Sequence, residues 1–177
     1  MKEDLYNCKR KGVTMFFCDI YGTIDGGFSD GDLRKFASLL KKIKEENSSD
    51  YLLFGMLSTE NSDIVDYYEK QLSKYFDSEL IVMKKFPDAE ALREAKISCA
   101  LYYIKHVKKK YDINGIYCVD DLVILQDMFK VILKKVEGID LNTVIPKKGQ
   151  NNLKFINEEI EKRFINKNLS SNSQLER

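Results

Sequence analysis

The chain predicts a three-layer, Rossmann-like α/β domain, with about five parallel strands and helices on both faces of the sheet. Three observations predict it. Short apolar runs alternate with longer segments of helical period. Those runs are almost continuously apolar, as strands buried on both faces must be. Turn-forming residues, Gly26-Gly27, Asn47-Ser48-Ser49, Asn114-Gly115 and Gly138, fall between the segments.

The first strand is expected over 13–19, in MFFCD, and ends on Asp19. A helix follows, its apolar stripe being Leu33, Phe36, Ala37, Leu40 and Ile43 at three- and four-residue spacing. Strand two covers 51–57. The N-cap candidate Ser62 then opens a helix with Ile64, Tyr68, Leu72 and Phe76 on one face. Strand three covers 79–83. Its helix carries Ala100, Leu101, Ile104 and Val107, with Lys96 expected at the opening. Strand four covers 115–119 and runs into Asp120-Asp121. A helix with the stripe Leu122, Leu125, Phe129, Ile132 and Val136 leads to strand five at 141–145. Leu153, Ile156, Ile160 and Phe164 make the last helix. Residues 1–165 are read as one domain, and the polar tail 166–177 as disordered.

Composition excludes several classes. With 177 residues, 44% hydrophobic and 32% charged, the chain is long enough for a sizeable core. A formal charge of +1 gives no global field for nucleic acid or an anionic membrane. The basic run KHVKKK at 105–110 reads as the solvated last turn of a helix, and its His106 is the only histidine. The start, MKEDLYNCKRKG, carries no apolar segment of signal-peptide length, and no window approaches a membrane span. Cys8, Cys18, Cys99 and Cys118 lack metal-ligand spacing and read as reduced thiols, which suits a cytoplasmic protein. The pairs Tyr67-Tyr68 and Tyr102-Tyr103 read as core-flanking aromatics rather than base-stacking platforms.

Ligands of open parallel sheets bind beyond the carboxyl ends of the strands, so the polar residues there outline the site. Asp19 ends strand one, Ser58 and Thr59 end strand two, and Asp120 and Asp121 end strand four. Three acids at one sheet edge repel each other unless a cation joins them, and Mg²⁺ is the usual partner of hard oxygen ligands. With a lysine and a hydroxyl added, such a site can neutralise and orient a phosphoryl group for attack by a carboxylate.

In order and spacing, FFCDIYGTI, YLLFGMLST, and Lys96 two dozen residues before the pair in YCVDD resemble the four motifs of the haloacid dehalogenase-like (HAD) superfamily of phosphohydrolases. The resemblance covers roughly residues 13 to 165. It implies that Asp19 is the nucleophile, forming an aspartyl-phosphate, and a Mg²⁺ ligand. The backbone carbonyl of Tyr21 would be a further ligand. Ser58, or Thr59 one residue on, would bind phosphoryl oxygens, and Lys96 would offset their charge. Asp120 and Asp121 would hold the metal, while Gly22 and Thr23 would shape the turn after the nucleophile. Asp127 stands where some members carry a further acid, or is an exposed helix residue.

One position departs from the motif. Where the phosphatases carry a second aspartate as general acid and base, this chain has Tyr21. A phenol with a pKa of about 10 donates a proton but is a poor base at neutral pH, and such help is worth about 10²–10⁴-fold. Three readings stay open: a phosphatase using Asp25 or Asp30 as its acid or tolerating a low rate; a metal-independent haloacid dehalogenase, whose members share Asp-x-Tyr-Gly-Thr; and a non-catalytic binding or scaffold module. Neither motif interval has room for an inserted cap domain of about 60 residues. The resemblance then implies an open site, a phosphorylated substrate that can be macromolecular, and a homo-oligomer as one way to cover the site.

Overall fold

A computed structural model of the chain describes residues 10–20, 23–24, 29–57, 62–74, 80–82, 89–146 and 152–166. Strand β1 (Gly12–Cys18) is the centre of the molecule, followed by α1 (Asp30–Glu46), β2 (Tyr51–Met56), α2 (Ser62–Ser73) and β3 (Leu80–Val82). Then come α3 (Ala89–Lys108), β4 (Asp112–Val119), α4 (Val123–Glu137), β5 (Leu141–Val144) and α5 (Asn152–Ile160), which closes with a π-helical turn at Glu161–Ile165. All five strands pair in parallel, in the order β3-β2-β1-β4-β5. The predicted fold class is the observed one.

Alternation along β1 separates the two cores. Phe16 and Cys18 face a core built with α1, α2 and α5; Val13, Met15 and Phe17 face one built with α3 and α4. On the first face Phe16 stacks between its cross-strand partners Phe54, at 5.9 Å, and Tyr117, at 6.1 Å. Phe36 of α1 meets Phe16 edge-on at 5.8 Å. The aromatic row locks the register of three strands, because a one-residue slip would turn all three rings to the other face.

Helix ends follow their local sequence. Ser29 caps α1 through a capping box with Asp32, and Gly138 ends α4 at φ 71°, a left-handed conformation that suits glycine. Three sequence-based expectations need correction. Asn114-Gly115 is not a turn but lies inside β4, where the pairing with β1 shifts between Val13 and Thr14. The shift leaves Asn114 as a bulge residue, and its amide donates to the Asn47 and Ser48 carbonyls. Gly115 sits so close to Asn47 that a Cβ would stand 2.9 Å from its Nδ2. Lys96 does not open a helix: α3 starts at Ala89, since Ala-Glu-Ala-Leu-Arg-Glu-Ala is built of strong helix formers. On α4 the buried face is Leu125, Gln126, Phe129 and Leu133, whereas Val136 is half exposed. That segment is apolar at nearly every helical angle, so periodicity alone could not choose the stripe.

The tail 167–177, Phe76, Cys8, Asp25 and the Gly26-Gly27 turn lie outside the described residues. No helix among the described residues is long and apolar enough to cross a membrane.

Candidate phosphoryl-transfer site

Chain order reverses at β1: β2 and β3 extend the sheet to one side, β4 and β5 to the other. Helices after β1 and β4 therefore leave on opposite faces, and a crevice opens between the carboxyl ends of these two strands. Asp19 follows β1 and Asp120 follows β4. The ladder continues past the strand ends to pin both, since the Asp19 N–H donates to the Val119 carbonyl at 2.9 Å and Leu57 N–H to the Cys18 carbonyl at 2.8 Å. After Asp19 the Ile20 carbonyl accepts from the N–H groups of Thr23 and Ile24, and buried Ile20 and Ile24 anchor this turn in the core.

Lys96 reaches the crevice from the second turn of α3, fully buried. Its Nζ lies 3.0 Å from Asp19 Oδ1 and 3.1 Å from Asp120 Oδ2. The two contacts are unequal. With Asp120 the ammonium makes a hydrogen bond, and the other oxygen of Asp120 accepts from Leu122 N–H at 2.9 Å. With Asp19 the ammonium pairs with Oδ1, a buried oxygen that has no second donor among the described residues. Asp121 is half buried, and one oxygen from each of Asp19, Asp120 and Asp121 lies within 4.8 Å of the others.

Electrostatics follow from two buried carboxylates sharing one ammonium. Burial pushes the Asp19 carboxyl up to about 7; Lys96 pulls it down and Asp120 pushes it further up. Asp120 is raised by the same burial, opposed by Lys96 and by Leu122 N–H. Burial disfavours the Lys96 ammonium, but the two carboxylates outweigh it and its pKa rises. The Cys18 thiol, held protonated by burial, donates to the Asp19 carbonyl.

The donor set fits a divalent cation. Its ligand atoms are hard carboxylate oxygens, their spacing is close to the roughly 3–4 Å between oxygens on one Mg²⁺, and Asp19 Oδ1 has no other hydrogen-bond partner. Thr23 is buried in the turn after Asp19, its hydroxyl without a hydrogen-bond partner among the described residues. Tyr21, Gly22, Ser58 and Thr59 lie outside the described residues. Asp30 does not join the cluster but opens α1 exposed, 3.2 Å from Arg34. Asp127 is an exposed residue of α4.

Gln126 escaped the sequence reading. It is fully buried in α4, and its Nε2 donates to the carbonyls of Asp120, at 2.7 Å, and Val144, at 2.8 Å. One amide thus ties the turn carrying the acids to the end of β5. The signal was a polar residue one position from the apolar stripe, six residues after Asp120, and nothing local marks it as different from an exposed glutamine.

No family model and no curated protein matches the chain. Two solved structures do: the HAD domain of the effector protein Lem4 from Legionella pneumophila and an inactive mutant of that domain. Each is 14% identical with a TM-score of 0.45, over 88% of this chain and 97% or 96% of the other. A likeness of that size carries no argument about activity, which rests on the site itself.

Proposed function

We propose that this protein is a Mg²⁺-dependent phosphohydrolase of the HAD-like type, acting through an aspartyl-phosphate on Asp19. The single observation that carries the reading is the state of Asp19: a buried carboxylate at the topological switch point, 3.0 Å from a buried ammonium and clustered with the carboxylates of Asp120 and Asp121.

Asp19, Asp120 and Asp121 would hold the cation, with the Tyr21 carbonyl as a further ligand implied by the motif. When bound, the cation supplies charge neutralisation and orientation of the phosphoryl oxygens. An Asp19 oxygen attacks phosphorus, and the bond from phosphorus to the leaving oxygen breaks as the new one forms. Lys96 offsets the charge of the phosphoryl group and of Asp19, with the Ser58 or Thr59 hydroxyl as a further donor. The leaving oxygen takes a proton, from the Tyr21 phenol or from water. Water then attacks the aspartyl-phosphate, releasing inorganic phosphate and restoring the carboxylate. The substrate class is a phosphorylated molecule, and an uncapped site admits a macromolecular one. Free thiols at Cys18, Cys99 and Cys118 suit a reducing, cytoplasmic setting.

Tyr21 favours a second reading, a module that binds Mg²⁺ or phosphate without efficient turnover. A metal-independent dehalogenase is less well supported, because it has no use for three clustered acids. Hydrolysis of p-nitrophenyl phosphate with and without Mg²⁺, beside Asp19→Asn, separates the readings. Mg²⁺-dependent release lost in the variant supports the hydrolase. Activity that survives Asp19→Asn rejects the covalent route, and Mg²⁺ binding without turnover in the parent favours the module.

A further inference from the structure

Among the described residues, eight large hydrophobic side chains are exposed, and five of them, Val123, Ile124, Met128, Val131 and Val136, belong to α4. The other three are tyrosines, Tyr51, Tyr67 and Tyr102, whose hydroxyls suit a wet surface. The apolar residues of α4 offer water nothing. Val131 is 67% exposed and Ile124 58%.

Their spacing is that of a helix seam. Ile124, Met128, Val131 and Lys135 follow a four-three-four step, the rhythm of d, a, d and a positions in a coiled coil. At about 100° per residue they lie opposite the buried face of Leu125, Phe129 and Leu133. Asp127 and Lys134 then occupy successive g positions, both exposed, on one flank of the seam.

We propose that α4 is a self-association surface that pairs antiparallel with α4 of a second copy of this chain. The charge pattern selects this occupant and this direction. In an antiparallel pair g faces g, so Asp127 of each copy meets Lys134 of the other, twice per dimer by symmetry. A parallel pair would set Asp127 against the e position, which is Ile132, and leave the acid without a partner. Met128 packs against Val131 across the two-fold axis, and Ile124 lies under the aliphatic stem of Lys135. Lys134 contacts Asp140 at 2.7 Å in the protomer, both side chains exposed, and an ammonium has donors to spare for a second carboxylate. The seam side chains are exposed whereas Asp19, Lys96 and Asp120 are buried, and the inference stands whether or not the protein hydrolyses phosphate esters.

Sedimentation equilibrium on the full chain tests it, with circular dichroism to verify folding of each variant. The expected result is a dimer that Val131→Glu converts to a monomer with an unchanged circular dichroism spectrum. Asp127→Lys should weaken dimerisation by about tenfold, and adding Lys134→Asp should restore it. Ile124→Glu serves as a second seam variant. A parent chain that stays monomeric up to about 100 μM overturns the proposal, including one that binds anionic vesicles through α4 instead. So does a dimer indifferent to both seam variants, or a charge swap that fails to restore association.

Discussion

The two edges of the sheet handle buried polar groups in opposite ways. Toward the amino ends of β1 and β4, Thr14 Oγ1 and Ser49 Oγ share a hydrogen bond of 2.9 Å, and the Asn47 amide donates to the Tyr117 hydroxyl at 3.0 Å and to Thr14. Gly12 N–H donates to Asp50 Oδ2, and Asp50 N–H returns to the Gly12 carbonyl. This edge is mostly neutral and well satisfied. At the carboxyl ends, three ionisable groups are buried together and two carboxylates share one ammonium. Burial of charge is costly unless pairing is complete, so the first edge adds stability and the second draws on it.

Mutation of each edge should expose that difference, and the largest effect is expected at Lys96. Lys96→Met removes the ammonium that bridges two buried carboxylates and should lower unfolding free energy by about 3–5 kcal/mol in urea titrations. A change under about 1 kcal/mol would mean that water reaches the acids and the edge is not dry.

Asp19→Asn should act in the opposite direction in metal-free protein. The folded-state pKa of Asp19, about 7, lies above the ordinary carboxyl value of 3.8. A raised carboxyl pKa gives stability that is present below the unfolded value and lost as pH rises through the folded one. In EDTA at pH 8 the asparagine variant should therefore gain about 2 kcal/mol, and the gain should shrink as pH falls toward 5. Added Mg²⁺ should raise the melting temperature of the parent and not of the variant. A variant less stable than the parent at pH 8 would show that the carboxylate is net stabilising without a cation.

Gln126→Leu links the edges to the mechanism. Two carbonyls lose a donor, with an expected cost of about 2 kcal/mol and weaker Mg²⁺ binding by calorimetry. Unchanged affinity would show that the Asp120 turn holds without its tie to β5. The smallest effect belongs to the other edge: Tyr117→Phe should cost about 1 kcal/mol and leave phosphatase activity and Mg²⁺ affinity as they were.

Particular residues show what could be read along the chain. Asp19, Asp120 and Asp121 were legible because apolar strands must end somewhere, and a parallel sheet sends all its strand ends to one rim. Asn114 was misread, because a bulge uses turn-forming residues inside a strand and only the neighbouring strand reveals it. Lys96 was legible as a candidate but was set at the wrong point of its helix, since seven strong helix formers before it carry no apolar stripe of their own. Gln126 was invisible, because burial of one polar side chain depends on which of several equivalent helix faces meets the sheet.

Local chain physics by itself determined the alternation of strand and helix, the parallel sheet and the short list of acids at its rim. Periodicity, turn residues and helix propensity act over a few residues and are present before the chain folds. Tertiary structure alone decided that Lys96 bridges Asp19 and Asp120, that the two carboxylates share one buried ammonium, and that the apolar seam of α4 faces outward. Those outcomes depend on distances between residues from 24 to about a hundred positions apart, and hydrogen bonding and desolvation change steeply over an ångström that no sequence spacing encodes.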